Sequence, residues 1–190
     1  MKKNNKLENS LAQLFSASEY KMVDVSDKAA THRKALAVGE IILGSAVIEM
    51  IRNKTMPKGD PLAIAEVSGI NGVKKTSELI PLCHPLSLDH VSLHTEIDEQ
   101  KHSVVVYCLV SANSKTGVEM EALSGVNSAL LAIYDLSKIV EPNLKITNTK
   151  LLIKSGGKKG LWINPDGVPA KIKNALNLKN DHISGSNKFD

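Results

Sequence analysis

The stretch from Val118 to Val140 constrains the fold of this chain more than any other segment. Its apolar residues recur every three or four positions, the spacing that places them on one face of an α-helix. These residues are Met120, Leu123, Val126, Leu130, Ile133, Leu136 and Val140. Pro142 cannot continue the helix and is expected to end it. A long helix with one apolar face needs a second layer to bury that face.

Strand patterns on both sides of this helix can supply that layer. Leu88 to Ile97 and Ser103 to Val110 alternate or are rich in β-branched residues, and four polar residues join them, so they predict an antiparallel hairpin. Leu144 to Ile153 alternates again after the helix. Arg33 to Leu43 is enriched in apolar residues and predicts a strand early in the chain.

Two shorter helices are expected between the first strand and the hairpin. One runs from Ser45 to about Asn53, and the other begins with Asp60 as N-cap and Pro61 in its first turn and continues to about Thr76. Two glycines weaken the second prediction, since each costs roughly 1 kcal/mol against alanine; they are Gly69 and Gly72. The order β-α-α-β-β-α-β predicts an α+β fold, a ferredoxin-like antiparallel sheet with helices packed on one face.

The ends of the chain differ in composition from its middle. Residues 1–20 and 163–190 are rich in Lys, Asn, Ser and Asp with weak periodicity, so we expect flexible tails around a single α+β domain at residues 21–162. The only apolar run near the N-terminus is too short for a signal peptide, and no segment approaches the ~20 apolar residues of a membrane span. We therefore expect a cytoplasmic protein without a membrane partner, with Cys83 and Cys108 as free thiols.

The net charge favours an anionic partner. The chain carries a formal charge of +4 and has a pI near 9.0. Two Phe, three Tyr and one Trp could hardly build a base-stacking platform for single strands. Small phosphorylated ligands are therefore favoured over nucleic acid.

The segment from Lys154 to Gly160 suits a phosphate. It offers three ammonium groups, and its glycines let backbone N–H groups approach an anion closely. It lacks the GxxxxGK[ST] spacing of a Walker A loop. The alternative is a solvated basic turn. Lys58 lies just before a predicted helix start, where the helix dipole also favours anions.

Charged residues at the two ends of the long helix are the other candidates. Asp135 and Lys138 are three positions apart, so they share a face and can form an ion pair or share a substrate proton; a surface salt bridge is the alternative. Glu119 and Glu121 would diverge by about 200° on a helix, which argues against a paired-carboxylate site. Glu121 and Asp135 would lie about 21 Å apart, so one nucleotide could contact both only if a second subunit brought one of them.

A rigid loop should display Cys83 and His84, because Pro81 and Pro85 on either side forbid regular helix. Adjacent residues seldom face each other, so a nucleophile–base pair is not expected and His84 is interpreted as a ligand contact. The predicted strand face with His90 and His94 has no third ligand at a zinc-like spacing. No metal is expected there.

Six segments also carry a resemblance to a known family. The segments are Met22–Ser26 (MVDVS), Lys58–Asp60 (KGD), Leu79–Pro85 (LIPLCHP), Lys115–Leu123 (KTGVEMEAL), Ile133–Asp135 (IYD) and Lys154–Lys158 (KSGGK). Together, in this order and from about Lys21 to Gly160, they resemble the family of cyclic pyranopterin monophosphate synthase, molybdenum cofactor biosynthesis protein C. The chain departs from the family pattern at Lys159, at Asp89 and His90, and in the long tail after Trp162.

The resemblance implies a lyase that converts (8S)-3′,8-cyclo-7,8-dihydroguanosine 5′-triphosphate to cyclic pyranopterin monophosphate and pyrophosphate without a cofactor. It also implies a ferredoxin-like subunit and a hexamer built as a trimer of dimers, with shared active sites. The implied catalytic residues are Lys58, Asp135 and Lys138. The implied substrate-binding residues are Asp24, Arg33, Leu82, Cys83, His84, Glu119, Met120, Glu121, Lys154 and Lys158. Two alternatives stay open: a non-catalytic nucleotide-binding oligomer and a basic nucleic-acid-binding module.

Overall fold

The computed structural model describes Ser10, Gln13, Phe15 and residues 18–175. The predicted N-terminal tail therefore lies largely outside the described residues. The strands are β1 (Thr31–Ile42), β2 (His90–Asp98), β3 (Ser103–Ser114), β4 (Lys145–Ser155) and β5 (Trp162–Ile163). The helices are α1 (Ser45–Arg52), α2 (Pro61–Lys74), α3 (Thr76–Leu79), α4 (Glu119–Ser137) and α5 (Ala170–Ala175).

The five strands form one antiparallel sheet in the order β2-β3-β1-β4-β5. Helices α2 and α4 pack on each other and on one face of this sheet. Inward-facing residues of β1 and β3 meet the apolar stripe of α4, so Ala37, Val106 and Leu130 are fully buried. The prediction of an α+β fold with an antiparallel sheet is confirmed. No helix within the described residues combines the length and apolar character that a membrane crossing requires.

The predicted elements are present with shifted ends. The long helix ends at Ser137 rather than Val140, and β3 continues to Ser114 rather than stopping at Val110. The extension of β3 consists of small, mostly polar residues that lack the β-branched enrichment of the rest of the strand. Its Ser111, Ala112 and Ser114 are buried because the extension pairs with the start of β1. Asp60 caps α2 as predicted, and its Oδ1 accepts hydrogen bonds from the backbone N–H groups of Leu62 and Ala63.

The glycines of α2 allow the two main helices to approach closely. A Cβ on Gly69 would collide with the side chain of Leu93, and a Cβ on Gly72 would collide with Ser128 of α4. Gly125 of α4 in turn lies against Val73 and Cys108. Glycine lowers the stability of a helix, and the close packing of α2 on α4 offsets that cost here.

The C-terminal boundary differs from the expectation of a tail from residue 163. Ile163 belongs to β5, and Val168 is 8% exposed in a small apolar cluster on the sheet face opposite α2 and α4. Asn164 is anchored to β4, since its backbone N–H donates to Leu152 O at 2.8 Å. Lys171 of α5 bonds Glu96 and lies over the Tyr107 ring. Three apolar side chains of this otherwise polar stretch contact the cluster, and their spacing shows no periodicity in the sequence; they are Ile163, Val168 and Ile172. Residues 176–190 of the predicted tail lie outside the described residues.

Candidate active site

Helix α4 carries charged residues at both ends, and these ends lie far apart in the fold. Glu119 and Glu121 stand in its first turn, whereas Asp135 stands in its last. At 1.5 Å per residue, the 14 residues from Glu121 to Asp135 span about 21 Å. One chain therefore holds two separate groups of candidate residues, one at each end of α4.

The group at the C-terminal end of α4 consists of Lys58, Asp135 and Lys138. Lys138 Nζ lies 2.7 Å from Asp135 Oδ1, and Lys58 Nζ lies 3.2 Å from Asp135 Oδ2. Lys58 also donates a hydrogen bond to the backbone oxygen of Asp135 at 3.3 Å. A short turn before α2 brings Lys58 here, 77 residues away in sequence from Asp135. The structure thus brings together the three residues expected to be catalytic, and one carboxylate bridges two ammonium groups.

This bridge shifts the pKa values of Asp135 and Lys138. The hydrogen bonds from Lys138 and Lys58 lower the pKa of Asp135, and the hydrogen bond to Asp135 raises the pKa of Lys138. In the free chain Asp135 is therefore ionised and Lys138 keeps its proton. All three side chains are about half exposed, so a substrate can reach them.

The group at the N-terminal end of α4 borders a cavity of ≈ 800 Å³ between the start of β1 and the end of β4. Four expected binding residues line it: Arg33, Glu119, Lys154 and Lys158. The first turn of α4 lacks a side-chain cap, so the helix dipole reinforces the attraction of anions there. Six cationic side chains line the cavity, against Asp27 and Glu119 as acidic ones. The cations are Lys28, Arg33, Lys34, Lys154, Lys158 and Lys159.

The glycine segment after β4 leaves space for the guanidinium of Arg33. Gly156 and Gly157 have φ of 98° and 72°, and a Cβ on Gly157 would collide with the guanidinium of Arg33. Arg33 also donates to the backbone oxygens of Ser114 and Lys115, each at 3.4 Å. The sequence suggested that these glycines admit a phosphate, but in the structure Gly157 makes room for Arg33.

Lys154 projects into the same cavity from the end of β4. Its Nζ lies 3.0 Å from Glu119 Oε1 and 5.9 Å from the centroid of the Trp162 ring. Glu119 therefore occupies, in the free chain, the position of an anionic partner for Lys154.

Glu121 is the one buried carboxyl among the expected residues, with 4% of its surface exposed. Burial raises its pKa, and the negative charge of Glu119 adds to the shift. Cys83, which precedes His84 in the loop between α3 and β2, is half-buried; burial raises its pKa, and the charge of Glu121 contributes. The proline-bounded loop therefore lies near the first turn of α4.

The remaining expected residues lie around these two groups with fewer contacts. Leu82 and Met120 are exposed, and His84 is half-buried without a hydrogen bond or ion pair to any described residue. Asp24 Oδ1 accepts hydrogen bonds from Ser26 N and Oγ.

The two histidines weighed as metal ligands have other surroundings. His90 is exposed, and His94 lies 3.0 Å from Glu96 Oε1 and stacks on Tyr107. Among the residues that the structure describes, no cluster of three or more His, Cys, Asp or Glu side chains could hold a metal.

Sequence reasoning did not single out four of the cavity residues: Asp27, Lys28, Lys34 and Trp162. Lys34 follows Arg33 directly on β1, and Trp162 is the only tryptophan of the chain. That uniqueness is the one signal that could have drawn attention to Trp162.

Comparison with known proteins gives a consistent family. The model of the MoaC family matches residues 22–157. The chain is 42% identical over 157 residues to a protein of Chloroflexus aurantiacus named cyclic pyranopterin monophosphate synthase, covering 83% of this chain and 96% of the relative. It is 43% identical over 152 residues to a protein of the same name from Chloroflexus aggregans, covering 80% and 92%.

A mouse relative, molybdenum cofactor biosynthesis protein 1, is 40% identical over 152 residues, which make up 80% of this chain but only 24% of the mouse protein. The match to the family model spans both groups of charged residues on α4, from before Arg33 to Gly157. The chain therefore belongs to the MoaC family.

Proposed function

We propose that this chain is a cyclic pyranopterin monophosphate synthase, a lyase of molybdenum cofactor biosynthesis. Its substrate is (8S)-3′,8-cyclo-7,8-dihydroguanosine 5′-triphosphate, and its products are cyclic pyranopterin monophosphate and pyrophosphate. The observation that carries the proposal is the 42% identity to a synthase of that name across 96% of its length. The two charged groups on α4 supply what such a reaction needs.

The cavity at the N-terminal end of α4 takes the triphosphate. Its lining carries six cationic side chains against two acidic ones, and the first turn of α4 adds the positive end of a helix dipole. Lys154, Lys158 and Arg33 contact phosphate oxygens, and a phosphate replaces Glu119 as the partner of Lys154. Binding and orienting a flexible triphosphate holds the reacting phosphate close to the oxygen that closes the ring.

The Lys58–Asp135–Lys138 group moves protons. Rearrangement of the purine-derived rings requires protons to be delivered and removed at several atoms. Asp135 holds Lys138 protonated, so Lys138 begins as the proton donor, whereas Lys58 is bonded to both the side chain and the backbone of Asp135 and is fixed in place. Asp135 orients both ammonium groups. The buried carboxyl of Glu121 and the neighbouring loop residues Leu82, Cys83 and His84 contact the substrate, together with Met120 and Asp24.

The two groups act on one substrate only across a subunit interface. The distance of about 21 Å along α4 exceeds what one nucleotide can span with both ends in contact. We propose a homo-oligomer, a hexamer built as a trimer of dimers, in which each site combines the N-terminal end of one α4 with the C-terminal end of another.

Three further proposals concern the subunit itself. Its fold is ferredoxin-like, which the antiparallel sheet with α2 and α4 on one face supports. The catalytic domain begins near residue 21, and the protein acts in the cytoplasm. The family match from residue 22 and the free thiols of Cys83 and Cys108 support these proposals.

The test is to incubate the purified chain with the cyclic dihydronucleotide and to measure pyrophosphate and the pterin product. A synthase releases one pyrophosphate for each product molecule formed. Saturable binding without pyrophosphate release would instead identify a nucleotide-binding oligomer. Strongly salt-dependent binding to long nucleic acids, without preference for the small triphosphate, would identify a nucleic-acid-binding module.

A further inference from the structure

Trp162 stands directly beside Lys154 in the sheet. The two residues are paired across β4 and β5, and residues paired in this way project from the same face of a sheet. Trp162 is half-buried and lines the cationic cavity together with Lys154. It lies beyond residue 157, where the match to the family model ends.

The Lys154 ammonium has two partners of different kinds. Glu119 Oε1 lies 3.0 Å away, and the centroid of the Trp162 ring lies 5.9 Å away, within the range of a cation–π interaction. The carboxylate cancels the charge of the ammonium. The ring carries no net charge, so it can hold the ammonium in place and leave its charge available to an anion.

We propose that Trp162 is a positioning residue of the anion site, which holds the Lys154 ammonium against its ring while a phosphate replaces Glu119. This inference rests on the proposed role of Lys154 as a phosphate contact. A lysine side chain has many rotamers, and a cation fixed at one side of the cavity loses less entropy when the anion arrives. Trp162 therefore raises anion affinity through Lys154, without needing to contact the anion.

The test measures pyrophosphate binding to the full-length chain by titration calorimetry in a double-mutant cycle. The four proteins are the unmodified chain, Trp162→Leu, Lys154→Met and the double variant. We expect Trp162→Leu to weaken pyrophosphate binding about two- to fivefold when Lys154 is present, the range of a partly exposed cation–π contact. In the Lys154→Met background the same substitution should have no effect, because there is no ammonium left to position. An equal loss in both backgrounds, or no loss with Lys154 present, would overturn the proposal.

Two further variants serve as controls, one that changes a different apolar residue and one that keeps an aromatic ring at position 162. Leu131→Ala removes an exposed apolar side chain of α4 that is not part of the cavity lining, and it should leave affinity unchanged. Trp162→Phe keeps a smaller ring and should bind pyrophosphate within about twofold of the unmodified chain. If Trp162→Leu fails to fold, Trp162→Met takes its place in the cycle. Its loss of affinity must vanish in the Lys154→Met background, and a loss that persists there would overturn the proposal.

The only tryptophan of the chain also gives a direct signal. Pyrophosphate should change the tryptophan emission saturably, with the dissociation constant found by calorimetry, because Glu119 is displaced near the ring. Binding without any change in emission would place the anion elsewhere and overturn the proposal. Turnover is measured separately: a coupled Trp162–Lys154 pair in a chain without turnover would refute the proposed function alone, and turnover without coupling would refute this inference alone.

Discussion

The guanidinium of Arg33 occupies the space into which a side chain on Gly157 would extend. The two residues lie on different elements, Arg33 on β1 and Gly157 after β4, and the pairing of these strands brings them together. Gly157 therefore leaves room for the Arg33 guanidinium in the lining of the cavity. Its positive φ of 72° is a second reason for glycine at this position.

Gly157→Ala should weaken substrate and pyrophosphate binding more than the backbone cost alone would explain. Gly160 provides the matched control, since it also has a positive φ, 65°, but a Cβ there would meet nothing within 4 Å. Both substitutions cost roughly 1–2 kcal/mol in stability for a left-handed conformation. Only Gly157→Ala should displace Arg33 and reduce pyrophosphate affinity by calorimetry, and that loss should disappear in an Arg33→Ala background. Equal affinity losses in the two glycine variants would contradict this role of Gly157.

Lys58→Ala and Lys138→Ala should each reduce turnover by about 10²- to 10⁴-fold, the usual contribution of a positioned acid or base. The melting temperature should change little, because both side chains are about half exposed and contribute no core volume. Lys75→Ala is a matched control that removes an exposed lysine from a surface ion pair with Glu78. Turnover is measured as pyrophosphate release. Full activity in either variant would remove that lysine from the mechanism.

Lys154→Ala and Lys158→Ala should weaken substrate affinity about tenfold or more, the loss of a charge-assisted hydrogen bond to phosphate. Lys159→Ala should have a smaller effect, because Lys159 lies outside the segments that resemble the family even though it lines the same cavity. Titration calorimetry of all three variants gives the order directly. A dominant contribution from Lys159 would reverse the assignment of the phosphate contacts.

Local patterns predicted the fold well, and the site only in part. The periodicity of α4 and the Asp60 cap depend on nearby residues alone, so the sequence identified both. The pairing of Asp135 with Lys138 follows from helix spacing for the same reason. The addition of Lys58 does not, since it depends on where a turn 77 residues earlier lies in the fold.

The failures share one physical cause, which is dependence on contacts between different elements of the fold. The contact of Lys154 with Trp162 requires β5, a strand of two residues that has no periodicity to detect. The contact of Gly157 with Arg33 requires the register of β1 against β4, which two irregularities interrupt. The glycines of α2 were weighed by helix propensity alone, although their contacts with Leu93 and α4 explain why they stand there.

Glu121→Gln should stabilise the protein at neutral pH. Burial raises the folded-state pKa of Glu121 above its ordinary value of 4.5, so the native state binds this proton more tightly than the unfolded chain does. Its contribution to stability is therefore fully present below pH 4.5 and is lost as pH rises through the raised pKa. The unmodified chain should melt below Glu121→Gln at pH 7, and the difference should shrink toward pH 4. A constant difference across this range would contradict the raised pKa.

The reactivity of Cys83 gives a second measurement of the effect of Glu121→Gln. The charge of Glu121 helps to raise the pKa of this thiol, so Glu121→Gln should make Cys83 react faster with iodoacetamide at pH 8. Cys108 is an internal control, because burial raises its pKa to about 12 and keeps it unreactive in both proteins. Labelling of each cysteine is measured by mass spectrometry after digestion.

The last prediction concerns the separation of the two groups on α4. Because Glu121 and Asp135 lie about 21 Å apart along one helix, one nucleotide can meet both only where two chains adjoin. Glu121→Ala and Asp135→Ala should each be inactive alone. When the two variants are assembled together, some interfaces receive an intact Glu121 from one chain and an intact Asp135 from the other, so activity should return to a fraction of the unmodified level. Two different affinity tags confirm that mixed assemblies have formed, and a mixture of two Asp135→Ala chains serves as the control. If tagged mixed assemblies form and activity stays at the single-variant level, each chain holds its own complete site and the shared-site proposal is wrong.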